Sequence, residues 1–186
     1  MTHRIMLVDD ERGILNALRR MLESKAVTEL MRFAFKVETF ESPLLALQRA
    51  AEVPFAVVLS DYRMPEMSGV LFLTKFKELQ PAAVRLIVSG YADLSALIGA
   101  INEAQIQCFL SKPWDDAELR AAIVKALETH DRLREQGDLA DAARVQQGTM
   151  TPHERELKRL EGRNPALARV NWTPDGGVML EPEDEP

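Results

Sequence analysis

Hydrophobic and polar positions follow two rhythms along this chain. Residues 5–8, 55–59, 84–88 and 108–110 are short apolar runs that stop abruptly at polar residues, as strands buried on both faces of a parallel sheet do. Residues 36–40 alternate like a strand. Helical spacing takes over between these runs. From Glu11, the residues Ile14, Leu15, Leu18, Met21 and Leu22 fall on one face, and Arg12, Arg19, Arg20 and Glu23 on the other. Ser42-Pro43 supplies an N-cap and a first-turn proline for a helix through Ala51. Residues 70–79 are amphipathic until Pro81 breaks them, 92–103 are again helical, and 115–128 begin a closing helix with Leu119, Ile123 and Leu127 aligned. Strands alternating with helices of about 10–15 residues predict an α/β, doubly wound, five-stranded parallel sheet, because right-handed crossovers lay helices on both of its faces.

In such sheets ligands sit beyond the carboxyl ends of the strands, near the topological switch point. The polar stops are therefore informative. Asp9 and Asp10 end the first run, Asp61 the third, Ser89 the fourth and Lys112 the fifth, so all five converge on one sheet edge. Clustered carboxylates repel unless a cation lies among them, and a small set of hard oxygen donors suits Mg²⁺ shared with a phosphate. Beside that metal Asp61 is placed to attack a phosphoryl group, with Lys112 and Ser89 on the phosphoryl oxygens.

These residues resemble the receiver domain of two-component response regulators, the CheY-like superfamily with its flavodoxin-like (βα)5 fold. The resemblance covers roughly residues 1–128 and rests on Asp9-Asp10, on SDYRMPEMSG around Asp61, on VSGYAD around Ser89 and on FLSKPW around Lys112. It implies Asp61 as phosphoacceptor, Asp10 as direct Mg²⁺ ligand, Asp9 as a ligand through water, and the Arg63 carbonyl as a further ligand. It further implies Lys112 as phosphoryl binder, Ser89 as switch hydroxyl and Phe109, where the family often has Tyr, as switch aromatic. Arg63 and Tyr91 take the positions that tune dephosphorylation, and a sensor histidine kinase or phosphotransfer protein is the implied donor. One departure is the segment SKAVTELMRFAFKVETF, which is longer than the family needs. Met31, Phe33 and Phe35 there read as a cap on the sheet edge or as a partner surface.

Composition narrows the classes. With 186 residues the expected organisation is a receiver at 1–128, a helical extension at 129–162, a β-hairpin at 163–181 and a disordered acidic tail at 182–186. A net charge of −6 disfavours nucleic acid and anionic membranes as partners. The N-terminus turns acidic too soon for a signal peptide or a membrane span, so the cytoplasm is the expected compartment. Cys108 reads as an inert buried thiol, and His3, His130 and His153 as scattered, solvated positions without metal-ligand spacing. Trp114 is either plain packing or part of a signalling face.

Past Glu128 a sparse apolar series, Leu133, Leu139, Ala142, Ala143 and Val145, is interrupted by Gly137 and continues as a prolonged or second helix, useful chiefly against a second copy of itself. Thr151-Pro152-His153-Glu154 forms a capping box for a helix at about 152–161, stopped by Gly162. The tail shows no helix-turn-helix, no phosphodiesterase or cyclase motif and no P-loop. The expected output is therefore contact with a downstream protein, with homodimerisation, and not enzymatic turnover. Two alternatives remain. A haloacid-dehalogenase-like phosphatase would need an Asp where Arg63 stands, and a DNA-binding regulator would need a basic stripe where Lys158 and the arginines are interleaved with Glu154, Glu156 and Glu161.

Overall fold

A computed structural model describes residues 2–24, 33–90 and 104–163. Chain order is β1 (Thr2–Val8), α1 (Arg12–Leu22), β2 (Ala34–Phe40), α2 (Pro43–Ala50), β3 (Val57–Asp61), α3 (Gly69–Leu79), β4 (Val84–Ser89), β5 (Cys108–Ser111), α4 (Asp116–Gln146) and α5 (Pro152–Arg163). The strands form one parallel sheet in the order β2-β1-β3-β4-β5. The order reverses between β1 and β3, which makes their carboxyl ends the switch point.

Side-chain parity along each strand divides the core. Ile5 and Leu7, Val57 and Leu59, Leu86 and Val88 face the layer of α1 and α4, where they meet Leu15, Leu18, Leu22, Leu119, Ile123 and Leu127. Met6 and Val8, Val58 and Ile87 face the other layer and meet Ala46 and Ala50 of α2 and Phe72, Leu73 and Phe76 of α3. Every position of β3 and β4 is buried, which is why those strands are nearly unbroken apolar runs. Phe33 and Phe35 pack partly buried against the α1/α4 side, as does Trp114, so all three have a packing role. Met31, the predicted helix at 92–103 and the tail at 182–186 lie outside the described residues, as does the predicted hairpin at 163–181 apart from Arg163, which is the last residue of α5.

Two polar residues hold loops inside the core. Gln80 donates to the carbonyls of Ala50 (2.6 Å) and Val53 (2.7 Å) and accepts from the Phe55 N–H (2.7 Å). Arg85, 6% exposed, interrupts the apolar reading of β4; its guanidinium donates to the carbonyls of Ala104 (2.8 Å) and Ala83 (2.6 Å). Burial draws that guanidinium below its ordinary pKa.

The extension differs from the reading in two glycines. Gly137 does not interrupt anything, since α4 runs unbroken for 31 residues, about 46 Å at 1.5 Å per residue. Strong helix formers on both sides outweigh its propensity cost of about 1 kcal/mol. Gly162 lies inside α5 and is not its stop. The turn that does end α4 uses Gly148 at φ +72°, a left-handed conformation natural to glycine. The capping box forms as read: Glu154 N donates to Thr151 Oγ1 (3.1 Å) and Thr151 N to Glu154 Oε2 (2.7 Å). Lys158 then pairs with Asp141 at 2.8 Å, so α5 folds back along α4.

Candidate phosphoacceptor site

The register of β1 against β3 pairs Val8 with Ser60, which brings the next residues, Asp9 and Asp61, side by side at the switch point. Both are buried, 2% and 7% exposed. Lys112, one residue beyond β5, reaches across the strand ends: its Nζ lies 2.7 Å from Asp9 Oδ2 and 2.5 Å from Asp61 Oδ1. Backbone donors fix the other carboxylate oxygens. Glu11 N–H binds Asp9 Oδ1 at 2.9 Å, and Arg63 N–H binds Asp61 Oδ2 at 2.7 Å.

The Asp61 main chain is held from below. Ser60 Oγ donates to the Asp61 carbonyl (2.8 Å), Tyr62 N–H to the Val88 carbonyl (3.0 Å), and Gly69 N–H to the Tyr62 carbonyl (2.8 Å). The last bond folds the 62–68 loop onto the strand end so tightly that a Cβ at Gly69 would lie 1.9 Å from the Asp61 carbonyl oxygen. Only glycine fits there. Ser68 caps α3 by accepting from Leu71 N–H (3.3 Å), which fixes the far end of the same loop.

Electrostatics oppose one another in this site. Burial is the largest influence on Asp9 and raises its carboxyl above the ordinary range, although Lys112 and the Glu11 N–H pull it down. Burial alone would lower the Lys112 ammonium; hydrogen bonds to Asp61 and Asp9 outweigh it and hold Lys112 above its usual value. The lysine is therefore a fixed cation between two carboxylates.

The remaining predicted residues fall as follows. Ser89 is buried at the end of β4; its carbonyl accepts from Lys112 N–H (2.8 Å), which ties the two strand ends together. Phe109 pairs with Ile87 across β4 and β5 and packs partly buried on the α2/α3 layer. Asp10 and Arg63 are exposed at the rim. Tyr91 lies outside the described residues. Cys108, expected as a buried thiol, is only partly buried at the start of β5 against the α1/α4 core, and that burial pushes its thiol up.

The donors at this edge, Asp9, Asp10 and Asp61, are all oxygen, the chemistry of a hard divalent cation, so they fit Mg²⁺ better than a nitrogen- or sulfur-seeking metal. Asp10 does not close a ring with the other two acids. The one group of three His, Cys, Asp or Glu ligand atoms within 4.8 Å of one another among the described residues is elsewhere: His3, His130 and Asp131. That corrects the reading of His3 and His130 as scattered and solvated, since their side chains are only 10% and 12% exposed. Burial, the main influence, lowers the His130 imidazole. Burial would raise Asp131, but His3 and His130 hold it below the carboxylate range. The topology contained the signal: a closing helix antiparallel to the strands brings its later turns beside the amino edge of the sheet, where His3 is the second residue of β1.

Residues 5–124 match the family described as the response regulator receiver domain. The hydrogenase transcriptional regulatory protein HoxA of Cupriavidus necator is 35% identical over 135 residues, 73% of this chain and 26% of HoxA. This chain thus spans about a quarter of that relative's length. Among solved structures, one titled adenylate cyclase from Rhodopirellula baltica superposes with TM-score 0.66 at 33% identity, covering 75% of this chain and 98% of that one. The signal receiver domain of an HD domain-containing protein from Pseudomonas fluorescens Pf-5 gives TM-score 0.62 at 32% identity, covering 72% and 92%. In keeping with its five-stranded order and the lysine that bridges the buried acids Asp9 and Asp61, the chain belongs to the response regulator receiver domain family, the phosphorylation-controlled signalling modules of two-component systems.

Proposed function

We propose that Asp61 of this chain accepts a phosphoryl group from the phosphohistidine of a sensor kinase or phosphotransfer protein, and that the output is contact with a downstream protein. The observation that carries this reading is the Lys112 ammonium held between Asp9 and Asp61 at 2.7 and 2.5 Å. A carboxylate oxygen of Asp61 attacks phosphorus, the bond from phosphorus to the donor nitrogen breaks, and an acyl phosphate remains on Asp61. Lys112 is already placed to follow the charge from the carboxylate to the phosphoryl oxygens. Asp9, Asp10, Asp61 and the Arg63 carbonyl would hold Mg²⁺, which when bound supplies positive charge against the anionic donor.

Ser89 and Phe109 carry the change outward in this reading. The hydroxyl, buried at the end of β4, turns to the new phosphoryl oxygens, and Phe109, only partly buried on β5, moves inward. Arg63, which is exposed, and Tyr91 tune the lifetime of the acyl phosphate. The α4–α5 extension serves as dimer element or docking surface; Leu133 and Leu139 on it are 43% and 70% exposed.

Intact mass after incubation with Mg²⁺ and acetyl phosphate tests the reading. Wild type gains one phosphoryl group, and Asp61→Asn and wild type with chelated Mg²⁺ gain none. A phosphoryl group taken up equally by Asp61→Asn would remove Asp61 from the mechanism.

A further inference from the structure

Chemistry-bearing side chains also gather at the opposite edge of the sheet, far from Asp61. His3 is the second residue of β1, and His130 and Asp131 sit on the turns by which α4 passes from the core into the extension. His3 Nε2 lies 2.8 Å and His130 Nδ1 3.3 Å from the same Asp131 oxygen, Oδ1. The two imidazoles meet edge to face with centroids 5.9 Å apart, and Phe33 closes the other side of His3 at 5.4 Å. We propose that His3, His130 and Asp131 form a binding site for a borderline divalent transition metal of the zinc class, separate from the phosphorylation site.

Four observations support it. Two imidazoles and one carboxylate are the donor set that selects zinc-class ions over Mg²⁺. The ligand atoms all lie within 4.8 Å of one another. Tetrahedral bonds of about 2.0–2.1 Å place neighbouring ligand atoms about 3.3 Å apart, so the existing 2.8 and 3.3 Å separations need little adjustment. Finally, His3 and Asp131 open on a cleft of about 360 Å³ lined also by Glu135 and Asp138. Those residues follow Asp131 at helical spacing, so either a carboxylate from the same face or a water completes four ligands. Arg134 lines the cleft too and balances the acids. Filled, the site fastens β1 to α4 at the point where the extension leaves the receiver.

The test is a Zn²⁺ titration of the tag-free full chain by calorimetry, with Mg²⁺ in excess so that the phosphorylation edge is occupied by its own ion. Expected are one Zn²⁺ per chain, Co²⁺ absorption bands of four-coordinate intensity, and a melting temperature about 5 °C or more higher at 100-fold excess over Kd. His3→Gln and His130→Gln should each weaken binding at least about tenfold, while Asp61→Asn and His153→Gln bind like wild type. In wild type itself, paramagnetic Co²⁺ should broaden the ring resonances of His3 and His130 and spare His153, a readout that stands even if a variant misfolds. Absence of saturable Zn²⁺ binding would overturn the proposal and leave the cluster as a hydrogen-bonded tie between strand and helix. So would binding untouched by both histidine substitutions, or binding lost only in Asp61→Asn.

Discussion

Asp9 and Gly69 show how the site constrains single residues. The carboxyl of Asp9 is raised by burial more than Lys112 and the Glu11 N–H lower it. A carboxyl with a raised folded-state pKa costs stability once ionised: the cost appears as pH rises through the ordinary carboxylate range to the raised value, and persists above it. Asp9→Asn should therefore melt higher than wild type at pH 7 in a chelating buffer, with the difference vanishing below the carboxylate range. An equal or lower melting temperature at pH 7 would mean that Lys112 already compensates the burial. At Gly69 the constraint is steric. The Asp61 carbonyl oxygen lies 1.9 Å from a Cβ built there, so Gly69→Ala must push the 62–68 loop off the strand end. Overpacking of this kind costs about 1–3 kcal/mol, and here it should also slow phosphorylation by acetyl phosphate. Wild-type rates and stability in that variant would show that the loop is free to move.

Elements were legible in the sequence to the extent that local pattern decides them. Apolar runs stopping at or just before Asp9, Asp61, Ser89 and Lys112 marked both the strands and the edge they share, because a strand buried on both faces admits a polar residue along its length only where other elements supply partners, as for Arg85. The ends were less legible. β3 runs through Ser60 to Asp61, two residues past the apolar run, because its register with β1 and β4 continues to that point. α4 passes through Gly137 because helix continuity is decided by the sum over neighbours, whereas Gly148 ends it because a positive φ is a local demand. Arg85 and Gln80 were invisible as core residues, since their burial is made possible by carbonyls supplied from other elements. Gln80 ties the end of α2 to the approach to β3, and Gln80→Ala takes the side-chain partner from three backbone groups, two of these bonds being buried and the third partly so. The loss should be about 1–3 kcal/mol or more in chemical unfolding. A change under 0.5 kcal/mol, roughly the effect of a neutral surface substitution, would show that water replaces the amide.

On the scale of the whole molecule, the sheet separates two edges with different chemistry: oxygen donors and Lys112 at the carboxyl ends, and His3, His130 and Asp131 at the other. The first edge was readable from motifs. The second was not, because His3 and His130 meet only through the strand order that places β1 under α4, and no spacing in sequence encodes that. The long α4 leaves Leu133 and Leu139 exposed. Light scattering of the full chain with and without Mg²⁺ and beryllofluoride should show a dimer, favoured in the activated state; a monomer under both conditions would leave α4–α5 as a docking surface for another protein. The central claim, that phosphoryl chemistry occurs on Asp61 between Lys112 and Asp9, is tested most directly by trapping the acyl phosphate. Borohydride reduces an aspartyl phosphate to homoserine, and peptide mapping after phosphorylation locates the converted residue. Homoserine at position 61 alone, absent when Mg²⁺ is chelated or Lys112 is replaced by Ala, is the predicted result. Conversion at Asp9 or Asp10, or none at any residue when a competent receiver converts in parallel, would contradict it.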